Sequence, residues 1–386
     1  MRVLVANAGS SSLKLVLLED QRTLAAREIS DARSLADAHG LGQTARAQLA
    51  QLLKGQPRPD AVGHRIVHGG ERFTAAVLID ERVRRELEAL VELAPLHQRP
   101  ALALVDALAE ELPQLPAVAC FDTAFHRTLG QAAATYALPQ SWRGGLGVRR
   151  FGFHGLSHAW VARRLAGAPG SARAPARIIS AHLGAGASLC AIAEGRSIDT
   201  TMGFTPLDGL VMATRPGSVD PGAITWALAK LQRQGGLERA LAAVEDALEH
   251  QSGLQALAGC SDMRTILERA NDAEARAQLA RDVYIHRLAG EIARMAASLA
   301  GVDAIAFTGG VGEHAPEIRE RALQALAFLG AKLDVGANGA PAPADLREIG
   351  APGAAVRVFV VRAREDLEIA RQVRSVLAAG EDAEAR

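Results

Sequence analysis

The sequence predicts an α/β protein of two domains built on a repeated design. Two segments far apart, RVLVANAGSSSLKLVLLED from Arg2 and RIISAHLGAGASLCAIAEG from Arg177, each give an apolar run, a loop of small residues and a second apolar run, which is the pattern of a hairpin. Elsewhere, strand-like runs alternate with amphipathic helical patterns. A chain of 386 residues also exceeds what one compact core usually organises. The expected first domain spans residues 1–150 and is completed by a C-terminal helix over 366–386; the second spans 151–365.

In chain order, the first hairpin turns at residues 7–12. An amphipathic helix follows at 80–93, with Asp80 as its N-cap and Pro95 as its stop. The Gly-, Ala- and Pro-rich stretch at 167–177 reads as a surface loop within the second half. The second hairpin comes next, then a helix over 281–299. The run AIAF at 304–307 leads through TGGVGE into the helical pattern EIRERALQALAFLG. VRVFVV at 356–361 is a last strand, followed by a helix to about residue 379.

Composition removes several classes of function. Lys+Arg and Asp+Glu are both 43, so no overall field holds nucleic acid or an anionic membrane, and any anion must be gripped locally. No apolar run approaches the ~18 residues of a membrane span. The opening MRVLVANAGS reads as a buried strand, not an export signal. Cys120, Cys190 and Cys260 are odd in number and widely spaced, which points to reduced core residues in a cytoplasm and not to disulfides or zinc. There is no GxxxxGK[ST] and no GxGxxG, so P-loop ATPases and Rossmann dehydrogenases lose their defining element.

The remaining chemistry lies in loops. Asn7, Ser10 and Ser12, followed by Lys14, offer amides, hydroxyls and a cation to a phosphate or hydrated metal; they equally suit a serine-rich turn. The loop His182, Leu183, Gly184, Ala185 and Gly186 offers a second glycine-bearing turn, so that two hairpins clasp a polyphosphate. In GHRIVHGGE, Arg65 and Val67 alternate with His64, Ile66 and His68, which makes Arg65 an anion clamp or the partner of a structural acid. Asp122 follows an apolar strand, a position from which a carboxylate reaches a cleft or caps a helix. His154 stands between Phe153 and Gly155, as a structural or a catalytic histidine. Arg215 lies in a constrained loop with Pro216 and Gly217, suited to a transferring phosphoryl group.

Together these stretches resemble the acetate kinase family, within the larger group of sugar kinases, Hsc70-type chaperones and actin, whose ribonuclease H-like domains enclose an active-site cleft. NAGSSSLK, GHRIVHGGE, APLH, FDTAFH, FGFHGLSH, HLGAGAS, DTTMGFTPLDGL, the arginine loop, SDMR, FTGGVGE and REDLEIA occur in the family's order, from Met1 to about Ala370. The resemblance implies phosphate contacts from Lys14, the serines and residues 182–186. It implies an adenosine pocket from Asp262, Met263 and Arg264 with Gly310, Val311, Gly312, Glu313 and His314. Asn7 and Glu365 match metal-linked positions, and Asp122 matches the essential acid near the metal. Arg65, His154 and Arg215 match a charge-stabilising set, and Val67, Leu96, Phe153 and Pro206 a pocket for a methyl group.

The implied reaction is reversible transfer of the ATP γ-phosphoryl group to acetate, giving acetyl phosphate and ADP. It uses magnesium, or manganese in its place, in a homodimer. The alternatives are a propionate or butyrate kinase and an actin-like ATPase module. Ala185 and His314 stand where the family usually has Asn, Gln98-Arg99 interrupts its His-Asn-Pro, and Ser218 lies where an acid is common; none removes a charged catalytic group.

Overall fold

The computed structural model describes residues 1–8, 12–29, 38–167, 175–341 and 345–384. The chain divides into two compact units, Met1–Arg127 with Phe153–Trp160 and Arg364–Arg386, and Thr128–Gly152 with Val161–Ala363. The sequence placed one change near residue 150. Instead, residues 128–152 pack with the second unit and 153–160 with the first, because Gly155 is tied directly to Asp122.

Among its described residues, the first unit is organised by a six-stranded sheet. The strands are β1 Arg2–Ala8, β2 Leu13–Glu19, β3 Arg22–Ile29, β4 Ala61–Ile66, β5 Val77–Leu78 and β6 Ala117–Phe121, in the order β3-β2-β1-β4-β6-β5. The hairpin expected from the sequence is present, with Ala8 opposite Leu13. β1 then runs parallel to β4, and β4 to β6. β1 and β2 are apolar almost throughout because both faces of the sheet are covered. On one face Leu4, Leu15 and Leu17 pack with Leu41 and Leu49 of the helix Ala38–Leu53 and Leu104 and Leu108 of the helix Pro95–Glu111. On the other lies the helix Glu365–Glu384. A Cβ at Gly63 would sit 2.6 Å from Ile369 and 2.7 Å from Val373, so only glycine admits this helix. β3, at the edge, is mostly exposed and carries the charges that deter edge pairing.

Asp80 caps the helix Glu81–Ala89 by accepting the Val83 N–H at 2.6 Å. Pro95 does more than stop what precedes it, because it occupies the first turn of the next helix, where its missing N–H costs nothing.

The second unit carries β7 Arg177–Leu183, β8 Ala187–Ala193, β9 Arg196–Thr200, β10 Ala304–Thr308, β11 Leu346–Glu348 and β12 Arg357–Val361, in the order β11-β12-β10-β7-β8-β9. Its second hairpin and its strand at 304–307 were both legible as patterns. The helix expected over 281–299 runs Ala275–Ser298. Most of the loop expected at 167–177, together with Ser10 of the first hairpin, lies outside the described residues. Among the described residues no helix is long and apolar enough to cross a membrane.

Candidate active site

Parallel strands align their C-terminal ends on one edge of a sheet, and ligands of open α/β sheets bind beyond that edge. In the first unit the ends of β1, β4 and β6 bring together Asn7, Arg65 and Asp122. Arg65 Nε and Nη2 donate to Asp122 Oδ2 at 3.0 and 2.7 Å, and Nη1 donates to Asn7 Oδ1 at 3.2 Å. Glu365, the first residue of the C-terminal helix, completes the group. Its Oε2 lies 3.9 Å from Arg65 Nη1 and accepts from Asn7 Nδ2 at 3.5 Å. One guanidinium thus faces two carboxylates, which leaves an excess negative charge in a site where Asp122 is 1% exposed.

The electrostatics follow from that imbalance. Burial pushes the Asp122 carboxyl up to about 6, and Glu365 adds to the effect, while Arg65 opposes it. For Arg65, burial disfavours the charged form, yet Asp122 and Glu365 outweigh it and hold the guanidinium above its ordinary range. Asp122 Oδ1 is buried without a hydrogen-bond partner, because both bonds from Arg65 go to Oδ2. Such an orphaned acceptor carries a desolvation cost that a cation or water would remove. Among the described residues there is no group of three or more His, Cys, Asp or Glu side chains placed to hold a metal ion.

His154 is fixed next to this cluster by backbone. The Gly155 N–H donates to the Asp122 carbonyl at 2.9 Å, and a Cβ at 155 would lie 2.0 Å from that oxygen. His154 itself is left-handed, with φ +56°, an uncommon conformation for a side chain-bearing residue. On the N-terminal side the buried His126 ring places Nε2 3.0 Å from the Phe153 carbonyl, donating in the tautomer that carries its proton there. Phe153 is buried and meets the edge of His68 at 5.5 Å. Val67 is buried, whereas Leu96 is 46% exposed. Gln98, where the sequence departs from the family's motif, is wholly buried. It donates to the His68 carbonyl at 2.9 Å and accepts the His68 N–H at 3.3 Å. Lys14 on β2 pairs with Asn7 in register, and Ser12 is half-buried.

The second unit offers backbone where the first offers charge. His182 and Leu183 end β7, and Gly184 donates to the Gly186 carbonyl at 3.0 Å across the tight turn. The Ala185 carbonyl accepts from Ala213 at 3.0 Å. After β10, Gly309 has φ +78° and approaches Leu183 so closely that a Cβ would lie 2.8 Å from its carbonyl oxygen. Residues Gly309–His314 form a short helix. Glu313 Oε1 accepts the N–H groups of Gly309 and Ala363 at 3.1 and 2.9 Å, so this acid holds backbone together. Gly310 and His314 are exposed, Val311 half-buried and Gly312 buried.

Asp262 caps the helix Met263–Asn271. It accepts from the Arg264 N–H, and its ion pair with the Arg264 guanidinium, at 2.8 Å, holds the carboxyl down at about 2. Met263 and Pro206 are buried in the same unit. Arg215 Nε donates to Glu249 Oε2 at 2.7 Å, both side chains being mostly buried.

Glu249 was not found by sequence reasoning. It stands 34 positions away in an amphipathic helix, Leu237–His250, where an acid reads as solvent-facing. Gln98 also escaped notice as a structural residue, since a single amide carries no periodic signal.

Comparison with known proteins identifies the family. The model of the acetokinase family matches residues 43–371. An acetate kinase of Deinococcus deserti is 43% identical, over 98% of this chain and 98% of that protein. Among solved structures, Porphyromonas gingivalis acetate kinase superposes with a TM-score of 0.86 at 34% identity, over 97% of this chain and 99% of the other. A propionate kinase from Francisella tularensis gives 0.85 at 32%, over 96% and 98%. With most of its length matched in sequence and in structure, the chain belongs to the acetokinase family and is a phosphotransferase with a carboxyl group as acceptor.

Proposed function

We propose that the protein transfers the γ-phosphoryl group of ATP reversibly to acetate, giving acetyl phosphate and ADP by direct in-line displacement. The observation that carries this reading is the part-buried group of Arg65, Asp122, Asn7 and Glu365 at the strand ends of the first unit. A carboxylate nucleophile is ionised at neutral pH and needs no general base. Catalysis is therefore alignment and charge neutralisation. Arg65 orients the acetate carboxylate while Asp122 fixes the guanidinium through Nε and Nη2. In the first unit His154 is suited to neutralise phosphoryl charge, and in the second unit Arg215, held by Glu249, is suited to the same task. Val67, Phe153 and Leu96 of the first unit supply apolar wall for the methyl group.

In the second unit, residues 182–186 take the phosphates. Asp262, Met263 and Arg264, with the turn Gly309–His314, take the adenosine.

Magnesium fits the first unit. Mg²⁺ prefers oxygen donors, uses one or two carboxylates, and keeps waters and substrate phosphates as its other ligands. The unpartnered Asp122 Oδ1, the Glu365 carboxylate and the excess negative charge meet that preference without a dedicated protein cage. Asn7 and Glu365 would hold the hydrated ion with Asp122 beside it, and manganese, with similar ligand demands, would replace it. When bound, the metal neutralises phosphate charge. The buried free thiols Cys120 and Cys190 support a reducing, cytoplasmic setting. A homodimer is also proposed. The exposed Trp226, Leu237 and Leu241 support it, and sedimentation would check it.

A coupled assay with ATP against acetate, propionate and butyrate tests the function. Acetate is expected to give the highest kcat/KM. Preference for a longer acid overturns the substrate assignment, and no turnover with any small carboxylate overturns the reading.

A further inference from the structure

The helix Pro316–Gln324 reads PEIRERALQ, a pattern in which the charges belong to solvent. Yet Arg319 is 1% exposed and heads the fully buried side chains by volume among the described residues. Its guanidinium donates through Nη1 to the Gly312 and Glu313 carbonyls at 2.8 and 3.0 Å. It also donates through Nε to Asn338 Oδ1 at 2.8 Å and through Nη2 to the Asn338 carbonyl at 2.7 Å. Every partner is neutral, and among the described residues no carboxylate pairs with it. Burial draws it down to about 10, so it remains a cation at neutral pH.

A buried charge without a counter-ion is costly, and an apolar residue of similar volume usually serves packing better. What Arg319 provides instead is positional. The last carbonyls of a helix have no following N–H and carry partial negative charge, and a guanidinium satisfies both needs. Gly312 and Glu313 supply such carbonyls in the turn Gly309–His314. At the start of that turn, Glu313 Oε1 already holds the Gly309 N–H. The turn is thus fixed from both ends, by an acid at its start and a buried cation at its finish.

We propose that Arg319 is a positioning residue for the nucleotide: through the Gly312 and Glu313 carbonyls it holds the turn Gly309–His314 in the conformation that receives the adenosine. Asn338 orients the guanidinium and is itself tied to the Pro316 carbonyl at 3.1 Å. The inference rests on the assignment of this turn to the nucleotide. It locates nucleotide affinity partly in residues that do not touch the ligand.

The experiment compares Arg319→Met, Arg319→Lys and Asn338→Ala with Gly310→Gln, in full-length protein shown to be folded by circular dichroism. Gly310 is exposed with no atom within 4 Å of a built Cβ, so that change adds bulk to the turn without disturbing the core. Arg319→Met is expected to raise KM for ATP about tenfold and Asn338→Ala about threefold. In both, kcat at saturating ATP and KM for acetate should stay within about twofold, and Arg319→Lys should recover part of the loss. A role in folding alone would lower the active fraction without moving KM. If Gly310→Gln raises KM for ATP while Arg319→Met and Asn338→Ala do not, the positioning role is overturned and the nucleotide turn stands. If Gly310→Gln also leaves KM unchanged, the nucleotide assignment itself falls. Should Arg319→Met not fold, Asn338→Ala decides by the same KM.

Discussion

Strand for strand, β1–β6 and β7–β12 run through the same pairings: two antiparallel, two parallel, and an antiparallel edge added before the last strand. Even the irregularities coincide, because the register shifts between Leu17 and Leu18 in one sheet and between Ala191 and Ile192 in the other, at equal distance from the hairpin. At the N-terminal ends of the parallel strands the two sheets also share a clasp. Arg2 donates from its backbone N–H and from Nη2 to Asp60, both at 2.7 Å. Arg177 does the same to Asp303 at 2.9 and 2.6 Å. At the C-terminal ends the likeness stops. Counting along the matched registers places Asn7 with His182, Arg65 with Thr308, and Asp122 with Ala363. One unit puts an ion-pair network there, and the other puts a hydroxyl, a ring and backbone held by Glu313.

The difference separates what builds the sheet from what acts on ligands. Clasps at strand starts are repeated because the sheet needs them, whereas strand ends are free to diverge because loops there carry function. The largest effect should therefore come from the charged end. Arg65→Ala removes the partner of the buried Asp122 and the half-buried Glu365, and with it the proposed acetate clamp. Turnover is expected to fall by about 3 to 5 kcal/mol of barrier, on the order of 100-fold to several thousand-fold, with KM for ATP little changed. A fall of less than tenfold would sink the division of labour between the two edges.

The glycine end should respond differently. Ile66, which matches Gly309 in register, is an ordinary strand residue, whereas Gly309 is left-handed and pressed against Leu183. Gly309→Ala combines a strained φ with a backbone clash, and about 3 kcal/mol of stability is expected to be lost, with a raised KM for ATP. Thermal denaturation and ATP titration check both parts. A variant as stable as the parent would show that the turn relaxes easily and that the contrast with Ile66 is superficial.

A third contrast lies one step back along the same strands, where His64 matches Phe307. His64 is buried, its Nδ1 has no partner, and burial pushes the imidazole down to about 4 against a weaker pull from Asp106. Unfolded, it takes up a proton near pH 6.5. Its folded-state value is depressed, so its stabilising contribution is present above pH 6.5 and is lost as pH falls toward 4. Between pH 7.5 and 5 this group alone should cost about 2 kcal/mol of unfolding free energy. His64→Phe, which installs the residue of the other sheet, should remove that share of the acid sensitivity. An unchanged pH slope in denaturant unfolding would place the titration elsewhere.

How much of this was legible in the sequence depended on range. Hairpins, the strand before Asp122 and the cap at Asp80 were visible because each is written in neighbouring residues. The Arg2–Asp60 and Arg177–Asp303 clasps span 58 and 126 positions and left no local trace. Arg319 gave no sign of its place, because helical periodicity treats every arginine as solvent-seeking, whereas this one is drawn inward by carbonyls that only the fold presents. The swap of residues 128–152 and 153–160 between units was likewise invisible, since it is decided by the close approach of Gly155 to the Asp122 carbonyl.

The smallest expected effect tests whether the charged edge also selects its substrate. Val67 lies two residues beyond Arg65, just past the end of β4, and is 5% exposed, so its methyl groups are packed and not solvated. If they form part of the wall around the acetate methyl, a longer acid must displace them. An apolar pocket discriminates one methylene by only about 1 to 3 kcal/mol, so propionate should be a measurable but poorer substrate of the unaltered enzyme. Val67→Ala deletes two methyl groups and leaves the Arg65–Asp122 pair in place. The ratio of kcat/KM for propionate over acetate is expected to rise about fivefold to tenfold, close to 1 kcal/mol, with thermal stability lowered only modestly. Both substrates are compared in both proteins at saturating ATP. A ratio that does not move would take Val67 out of the acyl wall. A ratio that rises while the acetate rate also collapses would mean that Val67 supports Arg65 instead of selecting the substrate.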